Sequence, residues 1–155
     1  MGSPGPLDLT GRMFPTVTII AALGCGMMAG VFFAFSAMVM PGLRRAEPEV
    51  GVAAMRAINL AVVNPAFIAL FVGTAVVGVV AAFGGGPWAW AGAALYGLGG
   101  IVLTGAFHIP RNNELERFGT TEYWARYLRE WVPANHVRAL LSLAAALAFT
   151  LAALR

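Results

Sequence analysis

Apolar residues run along this chain in long unbroken blocks, and the polar residues are confined to short stretches between them. Phe14 to Met40 carries no charged residue over about 27 positions, which at about 1.5 Å per residue crosses a hydrocarbon core of about 30 Å even when tilted. Pro41 and Gly42 are read as its end. The connector from Leu43 to Arg56 holds Arg44, Arg45, Glu47, Glu49 and Arg56, and from Pro48 onward it is predicted to be helical and to merge into the next span. Asn64 and Pro65 mark that junction. Pro65 to Phe83 is a further block of about 19 uncharged residues, enough to span, and Pro65 is expected to kink one long helix rather than to begin a new one.

Gly84, Gly85, Gly86 and Pro87 predict a tight turn, with Trp88 and Trp90 at headgroup level. A third helix runs from there to about Phe107, and His108 to Asn113, with Pro110, is read as its close. Between Glu114 and Trp131 the composition becomes interfacial: Trp124, Tyr127, Leu128 and Trp131 recur at helical spacing among Glu122, Arg126, Arg129 and Glu130. Pro133 then suits the first turn of a last helix that continues through Leu154. Helices satisfy their own backbone hydrogen bonds in lipid, and no alternating ten-residue strand pattern competes. The predicted fold is an all-α membrane protein, a four-transmembrane-helix bundle with a short interfacial amphipathic helix between helices 3 and 4. Gly24, Gly26, Gly30, Gly73, Gly78, Gly92, Gly97 and Gly105 are read as close-packing positions.

Composition sharpens this picture. Of the 155 residues 59% are hydrophobic and 11% charged, and the mean hydropathy is +0.77, far from a soluble domain. Residues 1–12 are set aside as a tag remnant or disordered tail, and 13–155 form one domain. The net charge of +3 rests on ten arginines and no lysine, scattered among apolar spans, so a nucleic-acid-binding stripe is excluded. Arg44, Arg45, Arg56, Arg111, Arg117, Arg126, Arg129 and Arg138 fall on one side and Arg12 and Arg155 on the other. By the positive-inside rule both long connectors are cytoplasmic and the termini outside, and the Arg-, Ala- and Gly-rich composition suggests a bacterial plasma membrane. Cys25 is the single cysteine, which rules out an intrachain disulfide or a cysteine metal cluster.

Asn59, Asn64, His108, Asn112, Asn113, Asn135, His136 and Arg138 all sit at the cytoplasmic ends of helices and hence at one depth. So many polar groups at a hydrocarbon boundary need partners, which implies a hydrogen-bond network or a ligand pocket. Helix caps are the simpler reading of Asn64 and Asn112. His136 is of the residue type suited to general-base work near neutral pH. Arg138 would stabilise an anion beside it, and Asn135 shares its helical face; a hydrogen-bonded histidine and a snorkelling arginine stand as the alternative. Trp124 and Trp131 either stack on a flat aromatic ligand or anchor the chain at the interface. The methionines Met27, Met28, Met38, Met40 and Met55 read as core filler rather than copper ligands. His108 and His136 without a motif do not establish haem.

The runs MAGVFFAFSAMVMPGL (Met28 to Leu43), MRAINLAVVNPAF (Met55 to Phe67), FHIPRNNEL (Phe107 to Leu115) and WARYLREWVPANHVRALLSLAAA (Trp124 to Ala146) resemble the anthrone oxygenase-like family of small membrane proteins, in the family's order. The resemblance implies an oxygenase that converts an anthrone-type polycyclic phenol to a quinone with dioxygen, and it gives Asn59, Asn64, Asn113, Trp131, His136 and Arg138 as the matching motif positions. The chain departs from the pattern at Arg56, His108 and Arg111. A mechanism consistent with both readings needs no cofactor: His136 removes a proton, Asn113 and Arg138 stabilise the enolate, and the carbanion reduces dioxygen. Asn59, Asn64, His108, Asn112, Trp124, Trp131 and Asn135 are then expected to bind substrate, with no metal site. Expected partners are the lipid bilayer and a hydrophobic aromatic small molecule, with a homo-oligomer left open. The other class of reading is a non-enzymatic membrane protein that binds a lipid, a quinone, haem or copper, or that serves as a subunit of a membrane complex.

Overall fold

The computed structural model describes residues 9–155. It contains α1 (Leu9–Ala34), a π-helical turn (Phe35–Val39), α2 (Met40–Arg45), α3 (Pro48–Ala61), α4 (Pro65–Ala82), α5 (Gly86–Tyr96), two further π-helical turns (Gly97–Val102 and Thr104–His108), α6 (Ile109–Phe118) and α7 (Thr121–Ala153). No strand occurs among the described residues. Among the described residues, four helical rods are long and apolar enough to cross a membrane: Met13–Arg45, Pro65–Ala82, Gly86–Phe118 and Thr121–Ala153. Of the twelve residues set aside at the start of the chain, 1–8 lie outside the described residues, and the helix begins at Leu9.

Two expected helix ends are not ends. The first rod continues past Pro41 to Arg45 and the third past Pro110 to Phe118. In each case a π-helical turn closes two residues before the proline, at Val39 and at His108. A proline lacks the N–H that an α-helix would bond to the residue four positions earlier, and a widened turn just before it lets the rod carry on. The opposite correction applies at Pro65. The chain breaks after α3, Asn64 is extended (φ −127°, ψ 156°), and its side chain caps α4 by accepting a hydrogen bond from the Phe67 amide at 3.0 Å. Pro65 is therefore a first-turn residue, where its missing N–H costs nothing, and no kinked long helix exists.

The separate interfacial helix is also absent. Residues 121–131 are the first three turns of α7, which runs unbroken through Pro133. Thr120 caps that helix through its hydroxyl, which accepts from the Tyr123 amide. The physical reason lies in packing. Trp124, Tyr127 and Trp131 are buried with Met40, Val52, Met55 and Leu115 in a core of their own, so the apolar stripe of α7 faces protein rather than the membrane interface. Arg56 ties this end together by donating to the carbonyls of Leu115 (3.1 and 2.9 Å) and Glu116 (2.7 Å), which are unpaired where α6 stops. Gly119 follows with φ +41°, the left-handed turn that favours glycine.

Within the spans, α1 packs on α4 and α7, and α5 packs on α4 and α7, which closes a four-helix ring. Its core is built from small residues and a few large ones: Ala21, Cys25, Met28, Phe32, Ala81, Ala89, Tyr96, Ala145 and Phe149. The close-packing reading holds at Gly24, Gly78 and Gly92: an added Cβ would overlap the Thr74 side chain at the first and stand 3.1 Å and 2.8 Å from Phe149 at the other two. At Gly26, Gly30, Gly73, Gly97 and Gly105 it would meet nothing within 4 Å. Leu23, Phe33, Leu140 and Leu147 are exposed, the outward apolar face of a bundle solvated by lipid tails.

Candidate functional site

A cavity of about 530 Å³ opens where the α3–α4 break leaves the bundle incomplete, a size typical of small-molecule sites. Its apolar wall comes from Phe32 and Phe35 on the first rod, Phe67 and Phe71 on α4, and Trp131 on α7. Seven of the ten residues expected at a site line it: Asn59, His108, Asn112, Asn113, Trp131, Asn135 and Arg138. Three segments far apart in sequence thus bring the expected amides and the arginine together, because α3, α6 and the start of α7 pack at the same end of the bundle.

At the inner end stands Arg138, 7% exposed. One terminal nitrogen, Nη1, donates to Asn135 Oδ1 at 3.2 Å, and the guanidinium carbon lies 3.8 Å from the centre of the Phe32 ring. The Nε–H is buried without a partner. Nη2 is left without a hydrogen-bond partner among the described residues, and Arg138 lines the cavity. Asn135 is fully buried, and its amide nitrogen donates to the Phe32 carbonyl (2.7 Å) and to Ser36 Oγ (2.9 Å) across the bundle. α7 and the first rod are therefore latched through Asn135, and the latch aims Arg138. Ser36 lies in the π-helical turn Phe35–Val39, a kind of distortion often found at functional sites.

Asn112 is oriented by two donors, Tyr127 Oη at 2.8 Å and Trp131 Nε1 at 3.1 Å, both on its Oδ1. That leaves the amide nitrogen for a ligand. Asn113 is exposed at the mouth, where Arg56 and Glu116 also stand, 3.7 Å apart. Leu60, Val63, Ile68 and Ile109 form the apolar part of the same rim, all exposed.

The two histidines are not presented to this cavity as a base would be. His136 lies on the outward face of α7, exposed, with its Nδ1 2.9 Å from the Val132 carbonyl, and it is not among the cavity walls. A residue rotated by about 100° from Asn135 cannot follow it inward when Asn135 is locked to the first rod. His108 does reach the wall, but its Nδ1 donates to the Leu103 carbonyl at 3.1 Å, and its Nε2 is sealed off from open space against Trp131, whose ring is 5.0 Å away. No group of three His, Cys, Asp or Glu suited to a metal ion occurs among the described residues.

Asn64 and Trp124 are also outside the cavity. Asn64 is the α4 cap, its amide nitrogen donating back to the Ala61 carbonyl at 2.8 Å. Trp124 is stacked on Tyr127 (5.6 Å between rings) in the second core and presses on Gly51, where a Cβ would come within 2.8 Å of its ring. Sequence reasoning missed Ser36, Phe32 and Glu116. Ser36 was visible in principle as a hydroxyl within an uncharged span, where an intramembrane polar residue wants a partner; the other two carry no such mark.

Fold and site together define a multi-pass membrane protein of four spanning helices with a lipophilic pocket at one end, lined by amides and one buried cation. More closely, the family model for anthrone oxygenase matches residues 54–148, and the chain belongs to that family. No curated protein and no solved structure matches it significantly.

Proposed function

We propose that this protein is a membrane oxygenase that oxidises a hydrophobic polycyclic phenol of the anthrone type with dioxygen. The observation that carries the reading is an aromatic-walled cavity lined by the buried Arg138 and by Asn112, whose Oδ1 is already engaged by Tyr127 and Trp131. An apolar wall takes the fused rings, and the positively polarised N–H groups take the oxygen on which charge develops when a ring carbon loses its proton.

The chemistry balances without a redox partner. A methylene flanked by two rings releases a proton, and the electron pair moves onto the carbonyl oxygen as an enolate. That anion gives one electron to dioxygen, the two radicals combine to a peroxide, and loss of water leaves the quinone. The methylene and dioxygen are thereby converted to a carbonyl and water: one oxygen atom stays on the ring carbon and the other leaves with both methylene hydrogens. The proton leaves to water at the polar rim of Asn113, Glu116 and Arg56. The assistance expected from His136 is not part of this proposal, because that ring lies on the other side of α7. Arg44, Arg45, Arg117 and Arg129 at the cavity end support a cytoplasmic location for it in a plasma membrane.

Oxygen uptake by the purified protein with anthrone, compared with Arg138→Gln, tests the proposal. A loss of at least about tenfold in the variant is expected; no uptake by the wild type in excess of spontaneous oxidation would remove the oxygenase reading. The absence of a histidine nitrogen facing the cavity favours one second reading, a carrier for a lipid or quinone, whose mark would be ligand retained with no oxygen consumed.

A further inference from the structure

We infer that the cavity binds its ligand as a lipophilic anion, with the ionised oxygen on Arg138 Nη2. The inference takes the site from the function proposed above and names the ionisation state of what occupies it.

Arg138 is 7% exposed and forms no ion pair among the described residues. The ion pairs formed by the other arginines lie at the connector end: Arg56 with Glu116, and Arg111 and Arg126 with Glu130. The Asn135 amide and the Phe32 ring that meet the Arg138 guanidinium are neutral, and the titratable side chains that face it electrostatically are Tyr96, Tyr127 and His108, none of them a carboxylate. A buried cation with no counter-charge is the arrangement that membrane proteins avoid unless a mobile ion or a ligand supplies the missing charge. Asn135, held by Phe32 and Ser36, keeps Arg138 from reaching out to water as a free arginine would. The Nε–H is buried without an acceptor, Nη2 has no hydrogen-bond partner among the described residues, and the side chain lines the cavity. One oxygen at Nη2 therefore completes the charge of the site.

The rest of the cavity selects what carries that oxygen. Inorganic anions are poorly served by walls of Phe35, Phe67, Phe71 and Trp131, whereas a phenolate on a fused-ring body buries its rings there. The exposed Leu60, Val63, Ile68 and Ile109 at the rim let such a body arrive from the lipid. The site thus accepts hydroxylated quinones as well as their reduced precursors, because the recognised feature is the acidic oxygen and not the oxidisable carbon. The quinone formed in turnover is accordingly a competitive ligand.

Alizarin, a dihydroxyanthraquinone whose visible band moves to longer wavelength on losing a phenolic proton, is the probe. It is titrated with the full-length protein in detergent micelles at a pH where the dye is neutral in empty micelles, under nitrogen. The expected result is a saturable one-to-one shift to the ionised spectrum, with the ratio of ionised to neutral bound dye raised at least about tenfold over micelles. Arg138→Gln should lose the shift and Arg138→Lys should keep part of it. The fully O-methylated dye should fail to compete at the wild-type site, a comparison that needs no variant to fold. Dye bound with its neutral spectrum, dye not bound, or equal competition by the methylated dye overturns the inference. Oxygen uptake with anthrone separates the two claims: uptake without the spectral shift leaves the oxygenase and removes the anion site, and the shift without uptake does the reverse.

Discussion

Asn135 Oδ1 accepts a hydrogen bond from Arg138 Nη1 at 3.2 Å, one helical turn away, while the amide nitrogen of the same Asn135 donates to the Phe32 carbonyl at 2.7 Å. The first rod thereby fixes the direction of an arginine on the last one. A long flexible side chain that would otherwise snorkel is held inside the bundle, and the cavity gains a stationary positive charge.

Breaking that latch should both loosen the fold and misplace the charge. Asn135→Leu strands Ser36 Oγ and Arg138 Nη1 without their partner, and leaving buried polar groups unsatisfied costs about 1–3 kcal/mol each. Thermal unfolding in micelles should show a lowered midpoint, and alizarin affinity should fall at least about tenfold. A variant with wild-type affinity would mean that Arg138 orients itself without Asn135.

His136→Ala is expected to be nearly silent. The ring is exposed and bonded only to the Val132 carbonyl of its own helix, and such surface positions usually change stability by less than about 0.5 kcal/mol. Anthrone-dependent oxygen uptake should stay within about twofold of wild type. A loss of a hundredfold would put His136 back into the chemistry.

Two glycines at the connector end should respond in opposite ways to the same change. At Gly51 a Cβ would sit 2.8 Å from the Trp124 ring, while at Gly42 it would meet nothing within 4 Å. Gly51→Ala should destabilise by about 1–3 kcal/mol through overpacking. Gly42→Ala should be neutral or stabilising by up to about 1 kcal/mol, because alanine is the better helix former. Paired unfolding curves decide it, and equal midpoints would contradict the packing of α3 on α7.

Loss of the Asn64 cap should weaken the α3–α4 break without touching the ligand. The side chain both accepts from the Phe67 amide and donates to the Ala61 carbonyl, so Asn64→Ala should cost about 1 kcal/mol. Alizarin binding at a temperature well below unfolding should not change; a tenfold loss would make Asn64 a ligand contact.

Orientation is open to thiol labelling, since the native Cys25 is buried. Pro87→Cys lies in the first turn of α5, at the opposite end of the bundle, and Phe118→Cys at the connector end. With cavity and connectors cytoplasmic, an impermeant maleimide added to intact cells should label position 87 and reach 118 only after permeabilisation. The reverse pattern would turn the molecule over.

What the residues dictated by themselves is the part governed by solvent. Blocks such as Phe14 to Met40 are too apolar and too long for anything but a helix in lipid, and the arginines mark one end, so the four spans and the common level of the asparagines follow from composition and spacing. What packing decided is which way each polar group turns. Asn135 and His136 are neighbours, and only contact with Phe32 and Ser36 on a helix about a hundred residues away puts the first inside and the second out. The same holds for Trp124 and Trp131, whose interfacial composition gave way to a shared core with Met40 and Met55, and for Pro41 and Pro110, which a π-helical turn lets the rods absorb. Hydrophobicity is a local property of the chain, whereas the direction of a side chain depends on partners that adjacent residues do not contain.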